Sequence, residues 1–257
     1  MRKTVPFQRS VNNNARYRSG SVQDSVYSAL RKSILNLNLA PGTVISETEI
    51  SLHYKVSRTP VREAFINLAK EGLVRVIPQR ETLVSRIDLN RVEQERFIRE
   101  SLEMAVLEPF IEHYQSEDIA NLEKLLDMQG AASDRNEYIG FMNLDETFHR
   151  IFFDVSGYAL GGELLESMCG HYHRVRLLSS LLNGIAQNII SQHQDLISAL
   201  KERDLLRARA VLTQHLHKLN TEKTLLRERF PDYFVSAQEE QAFEVDFGGI
   251  PLPGRGI

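Results

Sequence analysis

Between Val22 and Leu37 apolar residues return every three or four positions (Val22, Val26, Ala29, Leu30 and Ile34), which places them on one face of a helix. Ala40-Pro41-Gly42 closes that helix in a turn. Ser46 followed by Glu49 predicts a capping box opening a short helix that stops near Tyr54. Lys55 and Val56 make the next turn, and Ser57 is the expected cap of a second helix. Pro60 is tolerated there because first-turn N–H groups have no helical partner. Val61, Ala64, Phe65 and Leu68 fall at i, i+3, i+4 and i+7 and so face the core, leaving Arg58, Thr59 and Arg62 outward. Gly72 stops the helix. Two β-prone runs, Leu73–Ile77 and Thr82–Ile87, flank Pro78-Gln79-Arg80-Glu81 and predict a hairpin, or wing. A helix-turn-helix of this layout reads the DNA major groove from the N-terminal residues of its second helix.

From Asp88 to Phe230 the pattern is helical, with breaks that predict six helices at about 89–114, 116–131, 134–155, 158–182, 186–202 and 204–229. Ser116 and Asp134 are expected N-caps, the latter with Glu137 in the capping-box position. Gly157, Gly161–Gly162 and Gly184 lie at or near the breaks. The predicted fold is mainly α: a winged helix-turn-helix over 20–88, then an antiparallel bundle of six to seven helices over 89–230. Residues 1–19, with several cations and few apolar residues, read as a disordered basic arm; the tail 231–257 loses the helical periodicity, and its Gly-Gly-Ile-Pro-Leu-Pro-Gly run reads as coil.

Composition adds an asymmetry to this picture. The first 88 residues hold 14 Lys/Arg against 7 Asp/Glu, and the remainder 17 against 27. A basic N-terminal block on an acidic remainder suits a nucleic-acid module joined to something that is not one. No apolar run approaches the roughly 20 residues that span a bilayer. The single cysteine, Cys169, excludes an internal disulfide framework. With no apolar signal segment evident, the expected location is cytoplasmic.

The polar exceptions to the apolar stripes carry the candidate chemistry. The helix predicted at 134–155 is apolar almost all round, yet Asp145 and His149 lie one turn apart on it. His193 interrupts the stripe Ile189, Ile190, Leu196, Ile197, Leu200, and His215 the stripe Ala208, Val211, Leu212, Leu219. A buried carboxylate needs a partner, and one divalent cation would satisfy all four groups. Imidazole and carboxylate ligands suit zinc first, with nickel or manganese also possible. His217 lies on another face, and His171 and His173 are expected at the surface or on a pocket wall. Arg99 stands where an apolar residue is expected and would either clamp a carboxylate through two parallel hydrogen bonds or pair with Glu103. Arg176 is a second clamp candidate, Arg174 points further away, and Glu146 is expected to point elsewhere on its helix.

Ala40-Pro41-Gly42, the run Val56-Ser57-Arg58-Thr59-Pro60-Val61-Arg62-Glu63-Ala64, and Glu71-Gly72-Leu73-Val74 resemble the winged-helix domain of GntR-family bacterial regulators. The set Asp145, His149, His193 and His215, with Asp145-Glu146-Thr147-Phe148-His149-Arg150 around its first half, resembles the metal-binding pattern of the FCD domain in the FadR subfamily. The resemblance implies operator contacts from Arg58, Thr59 and Arg62, with Ser57 and Arg80 completing the expected DNA-binding set. It also implies a metal inside the bundle that helps hold a small organic acid, with Arg99 as a ligand contact. The wing departs from the family pattern, reading Arg80-Glu81-Thr82 where Arg-Gly-Thr is usual, and a carboxylate there weakens attraction to phosphates. The function expected is a homodimeric repressor on a palindromic double-stranded operator, controlled by the organic acid, with no enzymatic activity and no membrane association. A metal-dependent hydrolase using the Asp/His site is the alternative, against which no separate general base is evident.

Overall fold

The structure is a computed structural model that describes residues 21–77, 81–182 and 184–236. The expected basic arm, the wing-tip Arg80 and most of the tail lie outside these residues.

The chain starts with α1 (Val22–Leu35), opened by a capping box in which Ser21 Oγ accepts from the Asp24 N–H while the Asp24 carboxylate accepts from the Ser21 N–H. Then come β1 (Val44–Ile45), α2 (Glu47–Tyr54), α3 (Arg58–Lys70), β2 (Val74–Ile77) and β3 (Glu81–Val84). Ser46 Oγ caps α2 by accepting from the Glu49 N–H at 3.1 Å. Lys55, at φ 56°, makes the turn into α3. Ser57 sits at the N-cap of α3 but makes no side-chain cap bond. The cause is in the sequence: the N3 position is Pro60, which has no N–H to give.

The predicted wing forms, with Arg75 opposite Leu83 and Ile77 opposite Glu81. A third strand joins it that the pattern did not show: β1 pairs with β3, giving the antiparallel order β1-β3-β2. Two residues are too few to display a period of two. One hydrophobic cluster, including Val26, Leu30, Ile34, Ile50, Val61, Phe65, Leu68 and Leu73, binds helices and wing together.

Asp88 caps the next helix by accepting from the Asn90 and Arg91 N–H groups. The bundle then runs α4 (Leu89–His113), α5 (Ser116–Asp134), α6 (Tyr138–Val155), α7 (Ala159–Met168), α8 (Gly170–Ser180), α9 (Ile185–Lys201), α10 (Leu205–His217) and α11 (Leu219–Arg229). Helices cover the predicted stretch, but two of the six expected ones are divided. The 158–182 stretch breaks at Cys169. The 204–229 stretch breaks at Lys218, where the backbone keeps helical dihedrals (φ −54°, ψ −41°), a local slip in the hydrogen-bond ladder.

Two expected caps also move. Ser116 is the first helical residue, and Gln115 takes the cap position, its N–H held by Asp118 at 2.8 Å. Asp134 is the last residue of α5, not the cap of α6. The chain reverses at Asn136 with φ 55°, and α6 begins after Glu137 without a side-chain cap.

α6 packs against α4, α5, α7 and α8, with Phe148 and Phe152 fully buried. Burying such a ring is worth about 1.5–3 kcal/mol, and this apolar surround is what lets α6 carry polar residues inward. The N-terminal winged-helix unit, the expected DNA reader, is fastened to the bundle at α8. A Cβ on Gly170 would stand 2.7 Å from Leu73 Cδ2, so the Leu73 side chain packs directly on the Gly170 backbone. His171 Nδ1 accepts from the Asp88 N–H and its Nε2 donates to the Gly72 carbonyl, both at 3.1 Å. Arg174 donates to the Ser85 carbonyl at 2.6 Å. The start of the tail packs on the chain: Phe234 is buried, and Ile87 exchanges backbone hydrogen bonds with Tyr233 and Val235; the run expected as coil lies outside the described residues.

Candidate functional site

Two groups of residues carry chemistry. The first is the exposed N-terminus of α3. Ser57, Arg58, Thr59 and Arg62 are all exposed there, while Val61, Ala64, Phe65 and Leu68 anchor the opposite face. Arg62 is not free: its Nε and Nη2 donate to the two oxygens of Glu47 on α2, at 3.0 and 3.2 Å. This fork holds the guanidinium at the surface, and Glu47 is a residue the linear pattern did not single out.

The second group lies inside the bundle. Asp145 and His149 on α6, His193 on α9 and His215 on α10 present ligand atoms that all lie within 4.8 Å of one another. Each imidazole is held by its Nδ1: His149 to Glu103 Oε2 at 2.8 Å, His193 to Gln129 Oε1 at 2.9 Å, His215 to Gln192 Oε1 at 3.1 Å. With Nδ1–H donating, the Nε2 lone pair is left to face the centre. Phe148 stacks on the His193 ring at 4.1 Å between centroids and fixes its plane.

His149 Nε2, His193 Nε2 and Asp145 Oδ1 are buried without a hydrogen-bond partner. Each such atom costs about 1–3 kcal/mol, and a single cation would relieve all three at once. Burial pushes His193 down to about 3 and His215 well below the ordinary histidine value, so both are neutral ligands. Burial opposes ionisation of Asp145, but the Arg176 guanidinium beside it outweighs this and holds its carboxyl below the usual range. The donor set therefore fits a divalent metal.

Beside this cluster stands an arginine pair. Arg99 Nε donates to Glu103 at 2.6 Å and Nη1 to Glu146 at 3.3 Å, while Nη2 is buried without a partner. Arg99 thus makes the expected pair with Glu103 and keeps one buried donor, Nη2, unpaired. Arg176 bridges Asp145 and Glu146. Both guanidiniums lie over the Tyr172 ring, at 5.8 and 5.3 Å. Glu146 does not point away, as expected, but joins this network. Successive helical residues differ by only about 100°, and the space beside α6 is wide enough to receive both carboxylates.

That space is a cavity of about 680 Å³. Arg99, Glu103, His149 and Arg176 line it on the bundle side, and Tyr27, Ser28, Arg31 and Lys32 of α1 line it on the reader side. Of the weaker histidines, His173 lines the cavity beside Glu146, whereas His171 belongs to the junction between the two cores. His217 pairs with Glu100 on the outside, and Arg174 is turned to the junction.

Glu103, Gln129 and Gln192 were not singled out as supports of the histidines. Glu103 and Gln129 occupy buried positions at helical spacing, a faint signal. What they touch, however, comes from other helices.

Residues 22–84 match the family described as bacterial regulatory proteins, gntR family, and residues 96–218 match the FCD domain. The HTH-type transcriptional repressor RspR of Escherichia coli (strain K12) is 33% identical over 213 residues, covering 83% of this chain and 93% of that protein. An uncharacterised HTH-type transcriptional regulator in an unstable DNA locus of Streptomyces ambofaciens is 34% identical over 212 residues, covering 82% and 89%. Among solved structures, E. coli McbR/YncC shares the fold with a TM-score of 0.69 at 20% identity, covering 82% of this chain and 99% of that one. These relatives are regulators, and the hydrolase alternative finds no support among them. The chain belongs to the GntR family of bacterial transcription regulators, a DNA-binding protein with a winged helix-turn-helix joined to an FCD domain rather than an enzyme.

Proposed function

We propose that this regulator is a metabolite-responsive repressor that binds a palindromic operator as a homodimer and is controlled by a small organic acid. Residues 20–88 form the reader, with Arg58, Thr59 and Arg62 on bases and Ser57 and Arg80 on the backbone. Residues 89–230 form the effector-binding and dimerisation unit, flanked by the arm (1–19) and the tail (231–257). Repression is the direction carried by the name of the E. coli relative. Asp145, His149, His193 and His215 would hold a divalent transition metal, zinc being the first choice for a three-nitrogen, one-oxygen set and nickel or manganese the others. When bound, the metal supplies a Lewis-acid docking point for an effector carboxylate, and Arg99 and Arg176 orient the acid beside it.

One observation carries this reading: the cavity beside the cluster, which His149 lines, is walled by both units. An acid in it sits in a space whose shape depends on how α1 of the reader stands against the bundle. It therefore has differential contacts with any two arrangements of reader and bundle, the condition for shifting one against the other. The test is operator binding by full-length, metal-loaded protein, followed by gel shift across a panel of small mono-, di- and hydroxycarboxylates. A panel member should release the operator from wild type but not from Arg99→Lys. Release by none of them, or equal release from the variant, would overturn the reading.

A further inference from the structure

Three carboxylates face the clamp arginines, and they are not equivalent. Glu103 is fully buried, bonded at once to Arg99 and to the His149 ring. Asp145 is 1% exposed and belongs to the ligand cluster. Glu146 alone has a side chain with solvent access, 39% exposed. Its carboxylate sits among Arg99 Nη1, Arg176 Nη1 and, at 3.5 Å, His173 Nδ1. It is therefore a carboxylate held in a three-donor cradle inside a cavity, close to where a bound acid would lie.

Removing Glu146 from the cradle strands neither guanidinium. Arg99 keeps Glu103, and Arg176 keeps Asp145. Removing Glu103 or Asp145 would instead leave a buried cation half-paired, which is far more costly. A second anion position is offered beside the cradle by Arg99 Nη2, which is buried without a partner, and by the metal that the Asp145/His cluster would hold.

We propose that Glu146 is an internal competitor, a side chain occupying one of two carboxylate positions in the effector cavity, and that the effector is a small dicarboxylate whose second carboxylate displaces it. This rests on the cavity being the effector site. The first carboxylate takes the position at the cluster and Arg99 Nη2. The second replaces Glu146 between Arg99, Arg176 and His173, and Glu146 swings to the open side of the cavity. Competition of this kind weakens the acid's apparent affinity, so only a ligand that fills both positions binds well. A monocarboxylate has no need to displace Glu146.

The test is calorimetric titration of metal-loaded, full-length protein with acetate and with succinate. Wild type is compared with Glu146→Gln, which keeps the shape, and Glu146→Ala, which empties the cradle. Metal content is checked by elemental analysis before each titration. Succinate should bind both variants at least about tenfold more tightly than wild type, whereas acetate should change by less than about threefold. Succinate that binds wild type but is unchanged or weakened in both variants would overturn the proposal and leave the effector site standing, with Glu146 as part of the receptor. Failure of both acids to bind all three proteins would remove the effector reading and this inference together.

Discussion

Gln129 is fully buried in the apolar interior, with one bond to the His193 ring and an unpartnered amide nitrogen. A residue so placed acts on the site only through the ring it orients. Gln129→Ala should lower metal affinity by about 10–100-fold, the usual effect of removing an outer partner of a ligating histidine. Competition with a chromogenic chelator measures this, and affinity unchanged within error would show that Phe148 stacking alone sets the His193 ring. Arg99→Lys tests the clamp at the same scale. Lysine keeps a cation beside Glu103 but cannot offer two parallel donors. The variant should remain folded while losing most of the thermal shift given by organic acids. Arg99→Ala is a poorer probe, because it leaves Glu103 buried without its cation, a change worth roughly 3–5 kcal/mol.

Among elements, α8 does two tasks that no single stripe reveals. Its first residues, Gly170, His171 and Arg174, fasten the reader, while Arg176 two positions further faces the cavity. Gly170→Ala places a methyl 2.7 Å from the side chain of the fully buried Leu73, which has little room to yield. Overpacking of this kind costs about 1–3 kcal/mol. Chemical denaturation should show that loss, and operator affinity should fall with it if reader orientation depends on this seam. Phe234 is a further anchor: it is 3% exposed and pairs with Ile87 within the bundle's core. Phe234→Ala should cost about 3–5 kcal/mol, against little effect if the tail is dispensable. Helix existence was legible from apolar spacing in nearly every case. Helix ends were less so, because Asp134 and Ser116 satisfy the local rule for a cap while backbone reversal at Asn136 and the Gln115–Asp118 pair take precedence.

At the scale of the whole molecule, the junction between reader and bundle has a sign with respect to pH. His171 accepts from one backbone N–H and donates to one carbonyl, so both bonds require a neutral ring. Burial first, and then Arg174, push its folded value well below the ordinary 6.5. The unfolded chain therefore binds this proton first as pH falls. The contribution is complete above about pH 6.5 and is lost progressively below it. Stability of wild type should fall more steeply between pH 6.5 and 5 than that of His171→Gln, which does not titrate. Equal slopes would show that the junction is insensitive to this group. Metal loading should raise stability as well, by about 4 kcal/mol at a thousandfold excess over the dissociation constant.

The sequence by itself determined the reader, because Val61, Ala64, Phe65 and Leu68 dictate which way Arg58, Thr59 and Arg62 face, a matter of local helical geometry. It determined the candidate ligands too, since Asp145, His149, His193 and His215 each interrupt an apolar stripe. Only the tertiary structure decided their supports and their access. Glu103, Gln129 and Gln192 meet those histidines across helix boundaries, Glu146 turns inward to two arginines, and α1 closes the cavity from the reader. Periodicity fixes which side of one helix is buried, but what lies opposite is set by how separate helices pack.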